Sequence, residues 1–183
     1  MRNGARIIFN PHRKGNRSMT ISTDREQILI GIIIRQFSPA FAMLEETIAA
    51  CPETLWLDNP RGRPLWKRVL HALESVDYFL NDFDCYWFDT IGKEVSPEFD
   101  AEDREQLSRE ETIEYLRNIR SKCDKAFSEL TDARLREHST AHPRFTYLDI
   151  VFTQLRHLAL NTGRCNEALA AAGIANGWIG YEE

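Results

Sequence analysis

The sequence is poor in the residues that break, staple or span. Seven Pro and nine Gly among 183 residues are too few for a low-complexity linker protein, and neither strand-like alternation nor an internal repeat runs through the chain. Its four cysteines, Cys51, Cys85, Cys123 and Cys165, lie far apart with no C-x-x-C pair and no secretory leader. That spacing argues against a four-thiolate zinc site or a disulfide framework and favours reduced thiols in a cytoplasm. Positive charge is also short. With 23 Lys and Arg against 28 Asp and Glu, the net charge of −5 leaves no clustered surplus to neutralise phosphates, so nucleic acid is not expected as a partner. The longest apolar run, Ile28–Ile34 with Gly31 inside it, is far too short to cross a bilayer, and neither a signal peptide nor a membrane span is expected.

What remains is a soluble, helix-patterned chain. At 43% hydrophobic and 28% charged it fits one domain with a full core. Residues 1–18 hold Arg2, Arg6, Arg13, Lys14 and Arg17 and no acid, and read as a disordered basic leader before Met19, with a single helical domain over 19–183. Thr23 and Glu26 form a capping-box pattern ahead of a first helix that Pro39 is expected to bend or break before Ala40–Ala50 resumes it. Turn chemistry at 58–62 leads to a second helix, in which Trp66, Val69, Leu70, Leu73, Val76 and Leu80 share one face. His71 falls nearly opposite, with Lys67, Ser75 and Tyr78, on a face that suits either solvent or a wet cleft.

Residues 84–107 mix Tyr86, Trp87, Phe88 and Phe99 with Gly92, Pro97 and acids, and read as a long connection folded back over the helices. Ser108 and Glu111 cap an amphipathic third helix; 131–143 reads as irregular, with His138 and His142 exposed. A fourth helix spans about Tyr147 to Ala172 and stops at Gly173. Along it Val151, Leu155, Leu158, Cys165 and Leu169 form the apolar stripe, while Gln154, His157, Asn161 and Arg164 recur at three- and four-residue steps at its edge. Trp178, Ile179 and Tyr181 follow on a Gly-rich tail expected to dock on the helices or on a second subunit. From the residues alone, His157 and Asn161 read most simply as hydrogen-bond partners one turn apart.

Three segments carry a resemblance to a known family: ETLW…PLWKRVLHALESVDYFL, SREETIEYLRNIRSKC and TYLDIVFTQLRHLALNTGRCNEAL. In their order and spacing, from about Thr23 to Leu169, they resemble the DinB-like superfamily of DinB/YfiT-type metalloenzymes. The resemblance implies an all-α four-helix bundle with a long connection between the second and third helices. It also implies a divalent metal held by three histidines, one on the second helix and an H-x-x-x-H pair on the fourth. Carried onto this chain, the metal ligands are His71 and His157, with Asn161 where the third imidazole is expected, and Gln154 and Arg164 as orienting groups. Imidazoles suit zinc, nickel or iron, whereas an amide oxygen is a harder ligand suited to manganese. The implied activity is transferase or hydrolase chemistry, including activation of a small thiol, on a small-molecule substrate. The alternative is a non-catalytic bundle whose degenerate metal site binds a small anionic ligand or a partner subunit, with Arg164 as the anion's anchor. A homodimer is compatible with both.

Overall fold

The computed structural model describes residues 27–60, 62–80, 92–177 and 179–180. The expected leader, the Thr23–Glu26 box, Cys85, the aromatics at 86–88, Trp178 and Tyr181 lie outside the described residues. Among those described there is no strand. Six helices follow in order: α1 (Ile28–Ala50), α2 (Glu53–Leu57), α3 (Leu65–Leu80), α4 (Arg109–Glu129), α5 (Asp132–Leu135) and α6 (Tyr147–Ala171). The four long ones close a ring, because α1 and α3 each pack against both α4 and α6.

Local chemistry sets the ends of these helices. Ser108 with Glu111, and Thr146 with Asp149, form reciprocal capping boxes at α4 and α6. Gly173 takes φ 78 just past α6, the left-handed turn that a glycine accepts without strain. The first turn of α1 is capped from a distance: Asp132 accepts from the backbone N–H of Leu29 and of Ile30, each at 3.0 Å. These bonds hold the Asp132 carboxyl below its usual range even though burial opposes them.

The core is continuous. Ile33, Phe37, Phe41 and Leu44 of α1 meet Leu70 and Leu73 of α3, Leu116 and Ile119 of α4, and Leu158 and Leu169 of α6. Each fully buried side chain of this kind stabilises the fold by about 1.5–3 kcal/mol before conformational entropy is counted. Two expectations for α1 change. Pro39 does not break α1, which runs as one helix through it, because the loss of a single backbone donor is outweighed by the burial of Phe37 and Phe41 around it. The apolar stretch is also longer than Ile28–Ile34: by length and composition, all 23 residues of α1 could cross a membrane. Mostly buried core helices and N-terminal signal sequences pass the same test; 28% of this apolar window is buried, and α1 packs on α4 and α6.

Elsewhere, ETLWL forms a short helix ahead of the turn at 58–62, and it buries Trp56 completely. The Trp56 indole donates to the Leu107 carbonyl at 2.8 Å, pinning the end of the connection that precedes α4. Within 131–143, which reads as irregular, α5 forms a single turn and His138 bridges to Thr146. Residues 92–107 do fold back, over α3. Lys67, expected on a polar face, is therefore only 3% exposed and pairs with Asp103.

Candidate functional site

Helices α3 and α6 run antiparallel and share a polar seam. Ser75 donates to the Gln154 side-chain oxygen at 2.8 Å, the His71 and His157 Nε2 atoms stand 3.1 Å apart, and Arg68 Nη1 reaches Asn161 Oδ1 at 3.5 Å. The steps match on both sides, with residues 68, 71 and 75 on α3 facing 161, 157 and 154 on α6. The polar edge expected on the fourth helix thus points inward. Gln154 and Asn161 are buried and His157 half-buried, while Leu155 is only partly covered.

The two imidazoles, 86 residues apart in the chain, meet edge to face with centroids 4.9 Å apart. His71 Nδ1 lies 3.1 Å from the Pro97 carbonyl, an acceptor, so Nδ1 carries the proton and Nε2 a lone pair. His157 Nε2 faces that lone pair and, also at 3.1 Å, the amide nitrogen of Asn161, which donates to the His157 carbonyl at 3.0 Å. If His157 Nε2 accepts from Asn161, two lone pairs converge. If it donates to His71, that bond is complete, and Asn161 keeps its bonds to the His157 carbonyl and from Arg68, with only its contact to His157 Nε2 unused. His157 Nδ1 is buried without a hydrogen-bond partner among the described residues, which favours the proton on Nε2, since a buried orphaned N–H costs more than an orphaned lone pair.

Electrostatics keep both rings neutral. Burial lowers the affinity of His71 for a proton, and Arg68 and Lys67 lower it further against the pull of Glu98 and the Pro97 carbonyl. Burial also lowers that of His157, helped by His71 and Arg164. Beyond the rings, Arg68 and Arg164 line one cavity of about 270 Å³ with Asn59 and Glu167. Arg68 is half-buried over the Phe99 ring, 5.3 Å from its centroid, and neither guanidinium pairs with a carboxylate among the described residues. On the other side of His71, Glu74 and Glu98 line a cavity of about 370 Å³ with Ser75 and Tyr78. Burial and these neighbouring carboxylates push Glu74 up to about 7.

The resemblance implies a metal, and its fit can be judged from the donors. With metal–nitrogen bonds of about 2.0–2.1 Å, two ligand nitrogens of one ion lie about 2.9 Å apart at a right angle and about 3.4 Å apart at a tetrahedral angle. The observed 3.1 Å falls between and is also an ordinary hydrogen-bond length, so the separation is compatible with two ligands of one ion and with a direct bond between the rings. Asn161 turns an N–H toward His157, and its oxygen faces Arg68. Among the described residues no three His, Cys, Asp or Glu side chains converge on one point. The chain's own donor set is two nitrogens, with any further ligand left to solvent or to a bound molecule.

His71, His157, Asn161 and, through its field, Arg164 are brought together. Gln154 joins through Ser75 one rung away and makes no hydrogen bond to either ring among the described residues. Sequence reasoning missed Arg68, Pro97, Phe99 and Glu74. Arg68 sits three residues before His71, a spacing that could have flagged it, whereas nothing in the sequence ties Pro97 to His71. The sequence model of the DinB superfamily matches residues 36–164, a span that includes the whole seam. No curated protein and no solved structure matches the chain.

Proposed function

This chain belongs to the DinB superfamily, and on that premise we propose that the α3–α6 cleft is a metal-dependent site. In it His71 and His157 hold a divalent cation, and Arg68 with Arg164 draw an anionic small molecule to it. The observation that supports the reading is the 3.1 Å approach of two neutral imidazoles across the seam, a separation that two nitrogen ligands of one ion also take. When bound, such an ion would stabilise a thiolate or polarise an electrophile, the chemistry of a transferase or hydrolase.

The chain's own residues supply the rest. The Pro97 carbonyl holds the Nδ1 proton of His71 and so aims its Nε2 lone pair at the seam. The two arginines offset the charge of an incoming carboxylate, thiolate or phosphate. Glu74, beside His71 and titrating near neutrality, is placed to take or give a proton at the mouth of the cleft. Asn161 bonds its own helix and steadies His157.

The test is elemental analysis of untagged protein, followed by calorimetric titration with zinc, nickel and manganese, of the parent and of His71→Ala and His157→Ala. Near-stoichiometric binding in the parent, lost in both folded variants, is expected. No binding of any of the three ions by the parent rejects the proposal. One observation favours a second reading, a non-catalytic cleft for a small anion: Arg68 and Arg164 line one cavity and lack carboxylate partners among the described residues. Metal-free protein stabilised by phosphate, with the effect absent in Arg164→Gln, would select it.

A further inference from the structure

Another cavity lies across the ring from that cleft. It has a volume of about 560 Å³, within the range of roughly 300–1,000 Å³ common to small-molecule sites. Arg35, Ser38 and Pro39 of α1 form one wall and Arg120 of α4 another, and Ile179 and Gly180 close it from the C-terminal side. Ile179 is thus the part of the expected apolar tail that docks on the helices.

The two guanidiniums are arranged differently from their neighbour. Arg117, one turn before Arg120, is paired with Glu45 at 2.9 Å. Among the described residues Arg120 donates to the Ser38 hydroxyl alone, at 3.2 Å, and neither it nor Arg35 has an ion pair. Two arginines thus face one cavity, and neither pairs with a carboxylate among the described residues. Pro39 lacks an N–H, so the Arg35 carbonyl loses its helical donor where the cavity borders α1. Pro39, Ala42 and Ile179 supply an apolar lining beside these polar groups.

We propose that this cavity binds a small organic carboxylate with an apolar body, its carboxylate held between Arg35 and Arg120 and its body against Pro39, Ala42 and Ile179. A guanidinium fork matches a carboxylate in shape as well as charge. The site is independent of the imidazole pair, because Arg35 and Arg120 take no part in the α3–α6 seam.

Benzoate is the probe, titrated into the full-length protein by calorimetry at constant ionic strength, with inorganic phosphate and benzyl alcohol as comparators. Benzoate is expected to bind at least tenfold more tightly than either comparator. Arg35→Gln and Arg120→Gln, both changes at the protein surface, are each expected to weaken it about tenfold, the loss of one charge-assisted bond. Arg164→Gln should leave it unchanged. No benzoate binding at millimolar concentration, or equal binding by the parent and both arginine variants, overturns the proposal. Loss in Arg164→Gln instead would assign the ligand to the α3–α6 cleft, and phosphate binding as tightly as benzoate would overturn the carboxylate class.

Discussion

Replacing Lys67 by Met tests whether the connection before α4 is fastened to α3 by charge. The Lys67 side chain is 3% exposed and that of Asp103 11%, so both ends of the pair are out of water. Asp103 also accepts from the Ser96 backbone N–H at 2.7 Å, which ties the same carboxylate into the loop. Removing the ammonium leaves a buried carboxylate with one hydrogen bond and no counter-charge. Breaking a buried pair from one side in this way costs about 3–5 kcal/mol. For a chain of this size that is a fall in melting temperature of roughly 6–20 °C. Urea unfolding followed by circular dichroism gives the free energy, and Lys67→Met/Asp103→Leu, which removes both charges, should recover most of it. Because the loop also presents the Pro97 carbonyl to His71, Lys67→Met should weaken metal or anion binding in the cleft as well. A loss below about 1 kcal/mol would mean that the pair is screened as a surface one is, and a double variant no more stable than the single would refute the buried-charge reasoning.

Asn161→His places an imidazole one turn from His157. Zinc affinity should rise by roughly tenfold or more, as expected when a missing ligand is restored, and an unchanged calorimetric isotherm would speak against a metal at the seam. Glu74→Gln should stabilise the protein at pH 8 and leave it unaltered at pH 4. A carboxyl raised to about 7 in the fold keeps its full contribution at low pH and loses it as pH rises through that value. Solvent around this half-exposed group reduces the gain to roughly 1–2 kcal/mol, and equal pH profiles of the two proteins would remove Glu74 from the argument. The imidazoles act with the opposite sign. Both are held below the ordinary histidine range, so their contribution is complete above about 6.5 and is lost as pH falls through the lowered folded values. Urea unfolding of the parent between pH 7 and pH 5 should therefore slope more steeply than that of His71→Ala/His157→Ala, and parallel slopes would contradict the assignment.

The parts of this fold legible in the sequence are those whose signal lies within one helix. The steps linking Gln154, His157 and Asn161, the capping boxes at Ser108 and Thr146, and the stop at Gly173 are local, and the structure holds all of them. The position of His71 opposite the apolar stripe of α3 was equally legible, but its surroundings were not. A helical wheel ranks faces by the helix's own residues, so it placed Lys67 and His71 on a polar face suited to solvent or a wet cleft, whereas residues 92–107 cover that face with Asp103, Pro97 and Phe99. The cover has no motif. Its hold on α3 comes from one buried ion pair, one carbonyl and one ring, each many residues from its partner and each chosen by three-dimensional proximity. Those same contacts decide the chemistry of the site, because the Pro97 carbonyl sets which His71 nitrogen is free and Phe99 lies beneath Arg68. A histidine's place on a helix can thus be read from spacing, but its protonation and its readiness to ligate depend on a loop whose sequence gives no sign of it.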